Sequence, residues 1–380
     1  MDPPYCGGAK AVFGELPDFD FGRYTFLVSY LPEASGDGME HRNSTIVTSS
    51  RPLATSAKDN IGTVAHEFFH AWNVERIRPA SLEPFDFTST NMSGELWFAE
   101  GFTSYYTDLT LVRAGILSME EYLQNLSGLM NYVLLSPGSK LHSPVEMSYQ
   151  APFVDAAVSV DPVNRGNTFI SYYSYGELLG LALDLRLRTE FEEKSLDGFM
   201  RFVWERYGES EIPYTLSNLQ AALAEYSGSR EFAETFFAKH IHGNELPDMK
   251  ELFSRLGIAL EPANQNRGSL GRAYWQEKND QLVLGSYTLR GTPLYEAGLD
   301  KGDVLLQLNG QAVNSKAMLD SLLAGSRAGD EVALLYSRFG EERKVTLELE
   351  ADPELKLVPQ EKAGKKQLRL REEWLESKVK

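Results

Sequence analysis

The sequence predicts an α+β protein: a short region of strands, a mostly α-helical body, then a small β-rich module. Three observations carry this reading. Tyr24-Thr-Phe-Leu-Val-Ser-Tyr30 alternates and is rich in aromatic and β-branched residues, the pattern of a half-buried strand. From about Ser56 to Gly243 apolar residues recur at helical spacing behind serine-led capping sequences. After a polar linker, Asn264-Gln-Asn-Arg-Gly268, strand-like sequence returns in Gln281-Leu-Val-Leu-Gly-Ser-Tyr-Thr-Leu289.

Taken in order, residues 1–50 read as extended and contribute edge strands, punctuated by Pro32 and by Gly36 and Gly38. Residues 51–260 form the helical domain. Ser56-Ala-Lys-Asp59 and Ser118-Met-Glu-Glu121 resemble capping-box starts, and Gly176 to Arg188, Ser195 to Tyr207 and Ser217 to Tyr226 carry helical periodicity. Residues 261–352 form the β-rich module and 353–380 a charged tail. The last twenty residues hold seven Lys or Arg and four Glu, which predicts a solvated helix or extension, partly disordered from Glu354 onward.

A chain of 380 residues exceeds what one hydrophobic core organises. Its 42% hydrophobic content is ample for folding. A net charge of −17 argues against nucleic acid and anionic membranes as partners, because both demand clustered Lys and Arg. Cys6 is the only cysteine, so no intrachain disulfide forms and a metal site must use nitrogen and oxygen donors. Met1 to Lys10 lack the apolar stretch of a signal peptide, and no run approaches the roughly 18 apolar residues of a membrane span. A soluble chain follows, its compartment open but leaning to the cytoplasm.

The motif that carries chemistry is His66-Glu67-Phe68-Phe69-His70. On a helix, positions i and i+4 share a face, so both imidazoles can converge on one zinc ion. Glu67 is then placed to take the proton from water attacking a carbonyl. A catalytic zinc needs a third protein ligand and an open position. Glu100 is the candidate, a carboxylate in the otherwise apolar Leu96-Trp-Phe-Ala-Glu-Gly-Phe-Thr-Ser-Tyr-Tyr106, because a buried Glu is costly unless paired or metal-bound. Glu95 is the rival; its place before the apolar run suits an exposed or capping role.

His66-Glu-Phe-Phe-His-Ala-Trp-Asn-Val-Glu-Arg-Ile-Arg-Pro79, followed by Leu96 to Tyr106, resembles the glycyl aminopeptidase family of zinc metallopeptidases, gluzincins related to aminopeptidase N. The resemblance implies a thermolysin-like catalytic domain, one zinc ion on His66, His70 and Glu100, and Glu67 as general base. Gly38-Met-Glu-His41 resembles the G-x-M-E-N element, which implies that Glu40 binds the substrate's free α-amine; His41 stays unassigned. Ser171-Tyr-Tyr-Ser-Tyr-Gly-Glu177 resembles the Y-x-K-G element, which gives Tyr173 the hydroxyl that donates to the developing oxyanion, with Tyr175 where relatives often carry Lys. Arg76 and Arg78 lie in the family motif, and ion pairs that fix the zinc helix are their simplest role.

Gly291-Thr-Pro-Leu-Tyr-Glu-Ala-Gly-Leu-Asp-Lys-Gly-Asp-Val-Leu-Leu-Gln-Leu-Asn-Gly310 resembles the core of a PDZ domain: a turn, a short helix, and a strand closed by an Asn-Gly turn. Ser315 to Leu323 suits its second helix and Gly329 to Tyr336 a further strand. Such domains bind peptides by strand addition, and Arg267-Gly-Ser-Leu-Gly271 is a candidate carboxylate-binding loop. Relatives usually carry an N-terminal β-rich domain, which this sequence is expected to lack. The favoured reading is an aminopeptidase that removes small N-terminal residues (Gly or Ala) from peptide or protein substrates. A zinc endopeptidase and a non-enzymatic PDZ scaffold with an inactive peptidase body are the alternatives.

Overall fold

The computed structural model describes residues 4–154 and 161–378. The N-terminal strands form as expected: Thr25–Tyr30 (β1) pairs in parallel with Ser44–Ser49 (β3), which pairs antiparallel with Asp37–His41 (β2). The order β1-β3-β2 leaves β2 as an edge. On the inner face Phe26 packs against Phe68, their ring centroids 5.6 Å apart. On the outer face Leu27, Ile46 and Met39 form an exposed row.

The first fifty residues are not extended throughout. Pro4–Phe13 is a helix (α1) that buries Cys6, Ala9, Val12 and Phe13. Phe13 stacks on Trp72 at 5.0 Å and meets Phe69 at 5.2 Å. Gly7 and Gly8 depress local helix propensity, and packing against the body outweighs it.

The helical body follows. Leu53–Phe69 (α2) is kinked at Ser56 (φ −131°, ψ 28°), so the expected capping serine sits at a bend inside the element, and Pro52 precedes the first turn. Leu96–Ala99 (α3) and Gly101–Arg113 (α4) run almost end to end through Glu100, which has helical dihedrals. Met119–Leu134 (α5) starts with the anticipated capping box: the Ser118 hydroxyl accepts from the Glu121 amide, and the Glu121 carboxylate accepts from the Ser118 amide. Helices Tyr172–Glu190, Leu196–Val203 and Leu216–Ser227 match the periodic stretches, and one large core including Trp97, Phe102, Tyr105 and Leu179 unites them.

Strand Ile258–Pro262 (β4) leads to a module with a core of its own, centred on Leu282, Leu305 and Leu334. After Gly268–Ser269 (β5) come Trp275–Lys278 (β6), Gln281–Leu284 (β7), Val304–Leu308 (β8), Gln311–Ala312 (β9), Glu331–Arg338 (β10), Glu341–Glu348 (β11) and Glu350–Ala351 (β12). The main sheet has order β11-β10-β8-β7-β6. Asn309 (φ 50°) and Gly310 (φ 79°) make the tight β8–β9 turn that the Asn-Gly pair predicts. Ser315 caps helix Lys316–Leu323.

The charged tail does form a helix, but one docked on the body rather than left in solvent. Leu355–Pro359 (β13) pairs antiparallel with β4, so the module leaves the body and rejoins it through one two-stranded ribbon. Helix Lys365–Leu375 then docks on the body. Trp374 is fully buried, its indole N–H donating to the Tyr105 hydroxyl at 2.9 Å, and Arg113 donates to the Trp374 carbonyl at 2.9 Å. Leu370, Trp374 and Leu375 share one face, and that narrow apolar stripe decides the outcome over the charged majority. Among the described residues no helix is long and apolar enough to cross a membrane.

Candidate active site

Helix α2 buries Val64, Ala65, Phe68 and Phe69, which turns His66 and His70 toward a cleft between the helices and β2. The two rings face each other edge-on with centroids 4.8 Å apart. His70 Nδ1 lies 2.7 Å from the Asn73 carbonyl. A carbonyl only accepts, so Nδ1 carries a proton, and in the neutral ring it is Nε2 that presents a lone pair. His66 Nδ1 lies 3.2 Å from Thr107 Oγ1, whose own proton goes to the Thr103 carbonyl at 2.9 Å. His66 Nδ1–H must therefore donate, and its Nε2 is free as well.

Both Nε2 atoms stand 3.2 Å from Oε2 of Glu100. A proton on a ring nitrogen can bridge such a contact, and when both rings are neutral two lone pairs and a carboxylate oxygen converge on one point, an arrangement that suits a cation. The spacing fits a tetrahedral zinc ion, whose donors at about 2.0–2.1 Å lie roughly 3.3–3.4 Å apart. Electrostatics point the same way. Burial opposes charge on His70, yet Glu100, with Glu40 and Glu67, pulls its pKa up to about 10. Burial also works against the Glu100 carboxylate, but the two imidazoles outweigh it and hold its pKa well below the usual carboxylate range. Burial lowers the pKa of His66, with Glu100 opposing.

Glu67 is buried, and its Oε2 has no hydrogen-bond partner among the described residues. Oxygens of Glu67 and Glu40 and a nitrogen of His70 lie within 4.8 Å of one another. Burial, reinforced by Glu40 and Glu100 and opposed by His70, pushes the pKa of Glu67 up to about 8. Glu40 reaches the cleft because β2 alternates: Gly38 and Glu40 face inward, Met39 and His41 outward. His41 therefore stands apart. The Tyr173 ring lies 6.1 Å from that of His66, in the first turn of its helix. Tyr175 turns into the core, with its hydroxyl 3.5 Å from the Ser139 carbonyl, so the position where relatives carry Lys does not face the cleft.

All six residues expected from the sequence, His66, Glu67, His70, Glu100, Glu40 and Tyr173, line one cavity of about 460 Å³. Two expectations are corrected. Glu95 is neither exposed nor a side-chain cap; it is buried and accepts from the hydroxyls of Ser81 at 2.8 Å and Ser93 at 2.9 Å. Arg76, also buried, forms no ion pair among the described residues and donates instead to the carbonyls of Ala71, Asp18 and Arg42. Of the two arginines only Arg78 forms an ion pair, 2.8 Å from Glu83.

Sequence reasoning missed what holds the parts in register. A Cβ on Gly101 would stand 2.3 Å from the Gly176 Cα, and one on Gly176 would stand 2.0 Å from the Trp97 carbonyl oxygen. The two glycines are thus the contact at which α4 and helix Tyr172–Glu190 cross, which sets Glu100 and Tyr173 beside each other. Thr107 and Asn73, which fix the imidazoles, were missed too. Thr107 lies one turn after Thr103 and about two turns after Glu100, so it shares their face of the helix, a spacing that could have flagged it.

Residues 59–179 match the M61 glycyl aminopeptidase family and residues 254–349 match the PDZ domain family. Over 202 residues the chain is 25% identical to leucine aminopeptidase 2 of Yarrowia lipolytica, covering 50% of this chain and 26% of that protein. Over 125 residues it is 35% identical to a probable CtpA-like serine protease of Staphylococcus aureus, covering 31% of this chain and 25% of the other. The fold is that of an aminopeptidase N family protein from Idiomarina loihiensis, with TM-score 0.82 and 23% identity over 98% of this chain. The chain spans 65% of that structure's length. This chain therefore carries an M61 glycyl aminopeptidase domain at residues 59–179, joined to a PDZ domain at residues 254–349.

Proposed function

We propose that the protein is a zinc-dependent, gluzincin-type aminopeptidase that releases small N-terminal residues from peptides. One observation carries the reading: His66 Nε2 and His70 Nε2, each ring anchored through its Nδ1, both meet Glu100 Oε2 at 3.2 Å beside the buried Glu67. His66, His70 and Glu100 would hold one zinc ion, which when bound supplies Lewis-acid polarisation of the scissile carbonyl and of the attacking water.

Glu67 takes a proton from the attacking water and delivers it to the departing amine. Its burial raises its basicity, and the neighbouring His70 keeps the charged form accessible. The Tyr173 hydroxyl donates to the carbonyl oxygen as it gains negative charge. Glu40, on the edge strand across from Glu67, binds the free α-ammonium by a charge-assisted hydrogen bond and so sets the cut after the first residue. The preference for Gly or Ala comes from the family alone. At the PDZ domain, the groove beside Arg267 and helix Lys316–Leu323 is the proposed seat of a second peptide, with Arg267 donating to Asp320 at 3.2 Å.

A panel of chromogenic aminoacyl amides, assayed before and after chelation and zinc return, tests the proposal. Turnover should vanish with chelator and come back with zinc. A free peptide should be cut and its N-acetylated form refused. Undiminished turnover in chelator sinks the metal assignment, and equal cleavage of the blocked peptide sinks the exopeptidase assignment.

A further inference from the structure

Resting on that reading, we propose that Gly38 is a positioning residue for the general base: the missing side chain at 38 is the space that the Glu67 carboxylate occupies. A Cβ built on Gly38 would stand 2.0 Å from Glu67 Oε1, 2.5 Å from its Cδ and 2.9 Å from its Cγ. No real Cβ sits so close to another heavy atom, so any other residue at 38 forces a displacement.

The backbone does not require glycine there. Gly38 lies inside β2, bonded to β3 in register with Val47, and it is absent from the positive-φ residues. Alanine is compatible with that extended backbone, and glycine within a strand usually marks close approach of another group. Here the group is a carboxylate at the far end of a side chain, so Glu67 yields and the strand does not. Any position it moves to alters its geometry toward its partners: Glu67 is 5% exposed, and His70 and Glu40 place ligand atoms within 4.8 Å of it. Moving the carboxylate from 2.0 Å to ordinary contact shifts it by about 1 Å or more, a displacement that costs on the order of 10²-fold in rate when proton transfer depends on it.

The edge strand therefore serves the reaction twice. Glu40 reads the substrate, and two residues earlier the absence of a side chain seats the base. In α2 itself Gly62 supplies a contrast, because a Cβ there meets nothing within 4 Å.

The test is Gly38→Ala, with Gly62→Ala as the control. Gly38→Ala should retain full zinc content and Tm, lose about 100-fold in kcat, and keep KM within about threefold; Gly62→Ala should keep the parent's kcat, KM and zinc content, with a Tm no lower than the parent's. Glu67→Asp, one methylene shorter, vacates the contested space. Adding Gly38→Ala to Glu67→Asp or to Glu67→Gln should therefore cost no more than about twofold further. A Gly38→Ala enzyme within twofold of the parent overturns the proposal, as does an undiminished 100-fold loss in the Glu67→Asp background. Loss of zinc or of Tm in Gly38→Ala also overturns it, since that would make Gly38 a structural residue. A crystal structure of Gly38→Ala decides the matter without any assay: the Glu67 carboxylate should move by about 1 Å or more, and an unmoved carboxylate refutes the idea. Absence of chelator-sensitive turnover in the parent would instead strike at the peptidase reading, so the two failures are separable.

Discussion

The two walls of the cleft are built to different standards. On the helical wall every group that would hold the proposed metal is backed: His66 by Thr107, His70 by Asn73, and Glu100 by the Gly101–Gly176 contact. The opposite wall is an edge strand of a three-stranded sheet whose outer face shows Leu27, Ile46 and Met39 to solvent. Beyond its ladder to β3, that strand is held at its turn, where Arg42 bonds Asp20 and Glu211 and its carbonyl accepts from Arg76. The rigid wall suits ligands that must not move. The lighter wall suits recognition, where a graded response is tolerable.

Substitutions can break or sharpen that contrast. The largest effect belongs to Glu67→Gln, which should lower kcat by about 10²–10⁴-fold with zinc still bound, the range of a lost general base. Next comes Glu40→Ala on the light wall. Initial-rate kinetics should show about a 10–100-fold loss of kcat/KM for free peptides, with preference over acetylated peptides abolished and zinc content unchanged. If Glu40→Ala also sheds zinc, the walls are not independent. Thr107→Val is expected to weaken zinc affinity by about 10–100-fold in a competitive chelation titration, while Tm of the zinc-loaded protein holds.

The smallest effect concerns Glu177, one turn beyond Tyr173 on the helical wall. Burial, with Asp108 nearby, pushes its pKa up to about 8. Between the ordinary value of 4.5 and about 8 the folded state keeps a proton that the unfolded state has lost, so stability falls as pH rises through that window. Part of Glu177 still meets solvent, which reduces the penalty. Glu177→Gln should therefore raise Tm by on the order of 1–2 °C at pH 8.5 and leave it unchanged at pH 4.5 in differential scanning calorimetry. A gain of equal size at both pH values would show that packing rather than charge is responsible.

The chemistry-bearing residues were legible because their types and spacings are themselves the signal. Two imidazoles one helical turn apart, a carboxylate amid apolar neighbours and an inward position on an alternating strand each declare themselves locally. The restraints were not legible, because they are encounters between distant segments. The crossing of Gly101 with Gly176 and the seat of Glu67 on Gly38 join residues far apart in the chain. Arg76 escaped for another reason: its partners are main-chain carbonyls, which every residue has. Helix α1 was missed because its packing residues are few and interrupted by glycines, and the docking of the C-terminal helix because three apolar residues were outvoted by charge.

The β4–β13 ribbon makes the PDZ domain an insertion within the helical body rather than an appendage to it, with Pro262 directly opposite Leu355. A stop codon at the apparent boundary would thus amputate Trp374 along with the PDZ domain and open the floor beneath Tyr105. Clean removal calls for excision, splicing the two ribbon strands with a short hairpin so that the far end of the chain still finds its socket.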